Sequence, residues 1–167
     1  MTNDLKWDEN TAYLVKRAYA RMELLRQLNK FTKSTKDKIH IYKTYVRSVV
    51  EQSCVVWSSN LTTKNIKELE RVQKVAIKLI TNNKKTYKEN LKHLNIETLK
   101  ERRNILSRRF AEKCVRNPRT KDMFQIKTKA HKMKLRSQDK YQVQKVNTVR
   151  MQKSAIHQMT KYLNKKK

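Results

Sequence analysis

Five aspartates, Asp4, Asp8, Asp37, Asp122 and Asp139, are the first residues that could do chemistry, and no two of them are adjacent. Phosphoryl transfer on paired metal ions needs carboxylates that converge on both cations. Acids scattered in this way read as helix caps and loop residues, so no metal-dependent polymerase or nuclease site is expected within the chain. The four histidines, His40, His93, His131 and His157, are equally dispersed and show no zinc-ligand spacing with Cys54 or Cys114. Cys54 lies in an apolar run, where a packed thiol outranks a nucleophile. Trp57 shares that run and is expected in a core rather than as a stacking platform for bases. Neither a catalytic residue nor a metal or cofactor is expected.

The basic residues carry more pattern. Lys67, Arg71, Lys74 and Lys78 recur at spacings of three and four, which places them on one helix face. Arg102, Arg109 and Arg116 recur every seven, along one side of a second helix. A solvated polar face would show the same periodicity, and Glu70 is placed to pair with Lys74 across one helical turn. The charge balance favours phosphate contact instead: 42 Lys and Arg stand against 14 Asp and Glu, a net +28. Such an excess repels itself in a compact chain and attracts polyanions. These residues are the expected contacts to nucleic acid, reading charge and shape rather than base sequence.

Composition limits what can position them. Hydrophobic residues make up 37% and charged residues 34%, so a core is expected along only part of the 167 residues. Glycine is absent, and no phosphate-cradling or dinucleotide-binding glycine loop can form. Helices joined by Asn, Ser and Thr turns are the economical solution. No apolar run approaches the roughly 18 residues of a spanning helix, and MTNDLKWDEN is too polar for a signal peptide. Two lone cysteines point to a reducing compartment, so a nuclear or cytoplasmic protein is expected, neither secreted nor transmembrane. Residues 113–167 carry 17 basic and 2 acidic residues while apolar residues thin out. The folded part is therefore expected to end near Pro118, followed by a basic, partly disordered extension.

Helical periodicity then supplies the elements. A first helix is expected from Thr11 to Lys30, with Leu14, Ala18, Met22, Leu25 and Leu28 on its apolar face. A second is expected after Ser34, with Asp37 completing a weak capping box. Its stripe is Ile39, Tyr42, Val46, Val49, Val50 and Trp57, and Ile41, Tyr45, Ser48 and Val55 leave the opposite side uncharged. A helix apolar all round is usually central. Thr62 or Thr63 caps a third helix to Ile80 with Ile66, Leu69, Val72, Ala76 and Ile80 inward, and Asn82-Asn83 ends it. A short helix from Thr86 to Leu94 follows. Thr98 and Glu101 then form a capping box for a last long helix that faces the core with Leu99, Leu106, Phe110 and Cys114. Ile156, Met159 and Leu163 point to a terminal helical turn or two. The fold class is all-α: a small bundle of four to five helices with a basic extension.

The motifs LKWDENTAYLVKRA, IYKTYVRSVVEQSCVVWSSNLT, LERVQKVAIKLI and YKENLKHLNIETLKERRNIL, in this order, resemble the segment after the catalytic palm in reverse transcriptases of non-LTR (LINE-like, jockey-type) retrotransposons. FAEKCVRNPRTKDMF and KYQVQKVNTVRMQKSAIHQM extend the resemblance, which runs from about Leu5 to Asn164. It implies a palm-to-thumb junction over 1–10, a thumb-like helical bundle over 11–117 and a C-terminal extension with a short terminal helix over 118–167. It further implies that the chain helps hold a template–primer RNA/DNA hybrid or the element's RNA. The family's paired aspartates have no counterpart here, so the chain is expected not to be an enzyme on its own, whereas its parent would be an RNA-directed DNA polymerase. Relatives often place a glycine after the third helix, where Asn82-Asn83 stands here. Met1 is expected to mark a truncated insertion or a fragment of a longer frame. Two alternatives stay open: a free-standing basic RNA- or DNA-binding protein derived from such an element, and a non-functional remnant. No membrane partner and no small-molecule substrate are expected.

Overall fold

The computed structural model describes residues 6–31, 34–82, 85–127 and 140–165, and its elements are helical. The fold is all-α, with more helices than the four or five expected. The chain divides into two compact units, one of residues 1–54 with 61–103 and one of residues 55–60 with 104–167.

The first unit is built on α1 (Asp8–Phe31) and α5 (Thr63–Thr81), which pack together. Asp8 and Glu9 open α1 and Lys30 closes it, each complementing the helix dipole. Its buried residues, Thr11, Leu14, Ala18, Met22 and Leu25, keep the three-and-four rhythm of the sequence, while Leu28 is only half-buried. The α5 face toward the core holds Leu69, Val72, Ala76 and Ile80 as expected, and adds Asn65, Gln73 and Ile77. Each large apolar side chain withdrawn from water contributes about 1.5–3 kcal/mol. Thr62 caps α5, accepting from the Asn65 backbone N–H, and Asn65 Nδ2 donates to Asp8 Oδ1 at 2.8 Å, tying the two helix starts together.

The second expected helix is not one helix. It is split into α2 (Thr35–Ile41), a wide π turn (Tyr42–Val46), α3 (Arg47–Glu51) and α4 (Cys54–Trp57). Ser34 caps α2 through the Asp37 N–H. The π turn brings Tyr42 and Val46 inward with Val49 and Val50, and the Tyr42 hydroxyl donates to Gln73 Oε1 at 2.9 Å. Regular winding then fails at Gln52-Ser53, where Ser53 takes φ 51°. The uncharged opposite side is not buried either: Tyr45 is 50% exposed and Ser48 is exposed. Lack of charge on a face does not by itself bury it.

With no glycine available, asparagine ends the next two helices. Asn82 after α5 and Asn95 after α6 (Tyr87–Leu94) both adopt the left-handed conformation, at φ 52° and 49°. Asn reaches this region more easily than other side chains. Thr86 and Glu89 form a full capping box at α6, and Thr98 and Glu101 exchange the same bonds at the start of α7 (Leu99–Arg116). Along α7 the buried residues are Leu99, Arg103, Ser107, Ala111 and Cys114. The expected face with Leu106 and Phe110 is therefore corrected: Leu106 is half-buried and Phe110 is 44% exposed. Side-chain type suggested the wrong stripe, because the covered face carries an arginine and a serine.

The second unit has its own core of Ala111, Cys114, Phe124, Tyr141 and Met159, flanked by Val55, Val115, Ala155 and Leu163. Trp57 is buried, as its place in the apolar run predicts. An isolated antiparallel bridge joins Ile126 to Tyr141. The Asn164 side chain brackets Tyr141 by bonding both its N–H and its carbonyl at 3.0 Å. After α8 (Val149–Gln152), the terminal helix α9 (Ala155–Asn164) buries His157, Met159 and Thr160 and leaves Ile156 exposed. Among the described residues, no helix is long and apolar enough to cross a membrane.

Candidate nucleic-acid interface

Because α5 commits Leu69, Val72, Ala76 and Ile80 to the core, its winding turns Lys67, Arg71, Lys74 and Lys78 to solvent. All four are exposed, and from first to last they span about 16 Å at the helical rise. Among the described residues none of them forms an ion pair. Glu70, placed by sequence to neutralise Lys74, is turned aside: its Oε1 accepts the Tyr87 hydroxyl, and its Oε2 is buried without a hydrogen-bond partner. Lys74 lies instead over the Tyr87 ring, its Nζ 5.4 Å from the centroid, where the ring face attracts the cation without cancelling its charge. The row therefore presents four cations with no acid bonded to it.

The arginines of α7 are not alike. Arg102 Nε donates to Glu51 Oε1 at 3.1 Å, and Arg47 lies 3.4 Å from the same oxygen. Arg102 thus serves the packing of the first unit, and its guanidinium is only partly accessible. Arg109 and Arg116 are exposed on the part of α7 that belongs to the second unit.

Behind the α5 row lies a polar network. Tyr42 donates to Gln73, and Gln73 Nε2 donates to the Glu97 carbonyl at 2.8 Å. Burial pushes the Tyr42 hydroxyl well above the ordinary tyrosine range. Burial does the same to Tyr87, reinforced by its bond to Glu70. Both therefore act as neutral donors. Arg103, 3% exposed, has its guanidinium pKa lowered by burial, which the nearby Glu70 and Glu51 oppose. Its Nη1 has no hydrogen-bond partner. Arg103 stands four residues after Leu99, so helical spacing alone could have placed it on the covered face.

Two basic–aromatic pairs also involve α1. Arg17 sits 5.3 Å from the centroid of the Tyr13 ring, and Arg21 sits 5.1 Å from that of Tyr45. Arg21 also donates to the Tyr45 carbonyl. The first pair was legible as an i,i+4 step on α1; the second needs the packing of α3 and the π turn against α1.

The residues first considered for catalysis are placed structurally. Asp8 opens α1 and holds Asn65, Asp37 sits in the first turn of α2, and Asp122 lies in a short 3₁₀ turn. Asp4, Asp139 and His131 lie outside the described residues. His40 and His93 are exposed and His157 is buried on α9. Among the described residues, no three His, Cys, Asp or Glu side chains gather as metal ligands would. Both cysteines are buried and free, and the Cys54 thiol is pushed up to about 11, chiefly by burial.

Compared with protein-family models, curated proteins and solved structures, the chain matches none of them.

Proposed function

We propose that the chain is the nucleic-acid-gripping thumb and post-palm region of a non-LTR retrotransposon reverse transcriptase, with α5 laid along the phosphates of a template–primer hybrid. The observation that carries this is the row Lys67, Arg71, Lys74 and Lys78, exposed together and free of bonded acids in a chain of net +28. The ordered motifs of the sequence support the family, and Arg109 and Arg116 add cations in the second unit. Arg102 is assigned to packing rather than to phosphate.

The contribution is grip, not bond making: the scattered aspartates offer no paired carboxylates, and a polymerase palm would supply them. Primer extension by this chain alone is expected to give no incorporation. The two free thiols support a reducing, nuclear or cytoplasmic setting.

Neutralising four phosphates releases about four counterions, so hybrid affinity should fall about a hundredfold between 50 and 200 mM salt. Reversing two charges, Arg71→Glu with Lys74→Glu, should weaken binding by at least about tenfold at 50 mM and lower the salt slope by about two. Fluorescence anisotropy with hybrid, duplex and single-stranded probes measures both. Unchanged binding by a variant with native helicity would reject the assignment.

A further inference from the structure

A cavity of about 390 Å³ opens within the second unit, between the 3₁₀ turn Lys121–Met123, the bridged segments at Gln125 and Gln142, and helices α8 and α9. Residues 113–167 carry 17 basic residues, yet among the described residues no lysine or arginine lines this cavity. Asp122, one of the two acids of that region, does. A phosphate inside would meet a carboxylate and no cation, so the charge that attracts a polyanion stays outside. Lys121 and Lys161, each exposed and next in sequence to a lining residue, carry part of it.

The lining offers donors and acceptors together. The Ile126–Tyr141 bridge sets Gln125 and Gln142 beside each other on the face opposite the buried Tyr141 ring, and Gln144, two residues on, lines the cavity with them. Among the described residues, neither these three amides nor the Asp122 carboxylate has a hydrogen-bond or ion-pair partner. His157 is 9% exposed, its ring nitrogens are likewise unpartnered, and neither is sealed from solvent. Burial, then Lys161, lowers its pKa, so at neutral pH and above the ring offers one donor and one acceptor. Met123, Met151 and Ile156 supply partly exposed apolar walls, and a thioether packs well against an aromatic ring. The partner that meets all of this is flat, uncharged and edged with hydrogen-bonding groups, and the volume lies within the range of small-ligand sites. Asp122 adds a choice: a carboxylate only accepts, so the edge facing it must donate.

We propose that this cavity takes one unpaired nucleobase of a single strand, held by the glutamine amides and by an exocyclic amino group that donates to Asp122. Cytosine carries such a group where uracil carries a carbonyl oxygen. Pairing occupies this edge of a base, so the site reads loops and free ends rather than duplex. It shares no residue with the α5 row, belongs to the other unit, and goes beyond the grip proposed for that row.

Fluorescence anisotropy of the full chain with oligocytidylate and oligouridylate of equal length tests it, because the two strands carry the same backbone charge. Oligocytidylate should bind at least about fivefold tighter, the worth of one well-made base-edge contact. Asp122→Asn should bring that ratio to within about twofold, since an amide serves either base. Ile156→Trp, which fills the cavity from an exposed position, should do the same. Hybrid affinity should stay within about twofold in both variants, because paired bases do not enter. Failure of this site and failure of the α5 row are thereby separable. Equal binding of the two strands, a ratio untouched by Asp122→Asn, or an equal loss of hybrid affinity would overturn the proposal. Free cytidine should compete only at far higher concentration than the strand, and competition at matching concentration would overturn the assignment to a strand.

Discussion

Glu51 shows how a single carboxylate sorts cations between structure and function. Arg47 and Arg102 both approach its Oε1, and the Glu51 side chain is only 14% exposed. Glu51→Gln would leave two half-buried guanidinium groups without their anion, at a cost of about 2 kcal/mol in urea unfolding. Glu23→Gln should cost less than about 1 kcal/mol, because the Glu23–Arg26 pair is open to water. Equal effects would mean that Glu51 is not the anchor drawn here. Cys54 has the reverse character, a side chain kept from reacting. Burial, with a smaller push from Glu51, raises its thiol to about 11 against the opposing pull of Arg103 and Arg102. At pH 8 little thiolate forms, so iodoacetamide should label Cys54 far more slowly in the native chain than in urea. Peptide mapping reads the rates, and fast native labelling would contradict the packing.

At the scale of the element, helix starts control stability that can be titrated. Hydrogen bonds from the Thr98 side chain and backbone hold the Glu101 carboxyl below the usual glutamate range, and the Thr86 backbone and side chain do the same for Glu89. A lowered folded value means that the stabilisation is whole above the unfolded glutamate range, near about 4.3, and is lost as pH falls through the lowered value. Wild-type helicity should therefore drop on acidification more than that of the double variant Glu89→Gln, Glu101→Gln, whose caps cannot titrate. Circular dichroism from pH 6 to 2 makes the comparison, and parallel curves would deny the caps that role. The Thr98–Glu101 cap was legible because a capping box is complete within four residues. The π turn was not legible. It depends on Tyr42 reaching Gln73, which lies 31 residues away, and nothing in the local period announces that partner.

For the whole molecule, the net +28 gives salt two opposite effects. Screening over a Debye length of about 10 Å at 0.1 M relieves repulsion within the chain, so the melting temperature of the free protein should rise by a few degrees between 10 and 200 mM NaCl. Over the same range hybrid affinity should fall, because each released counterion gains less entropy on entering a richer bath. Thermal melts and anisotropy titrations on one preparation read both signs. If both properties weakened together, the charge excess would not be the common cause.

The positions of α1, α5, α6 and α7, the Ser34, Thr62 and Thr98 caps, the asparagine stop after α5, and the outward turn of Lys67, Arg71, Lys74 and Lys78 were readable from the residues alone. Each depends on neighbours within a turn or two, where helical geometry leaves few choices. Packing alone decided that Arg102 belongs to Glu51, that Glu70 bends toward Tyr87 instead of Lys74, and that α7 covers Arg103 while exposing Phe110. The physical reason is distance along the chain: Glu51 and Arg102 are 51 residues apart, so their meeting is settled by how helices stack and not by any period within one of them.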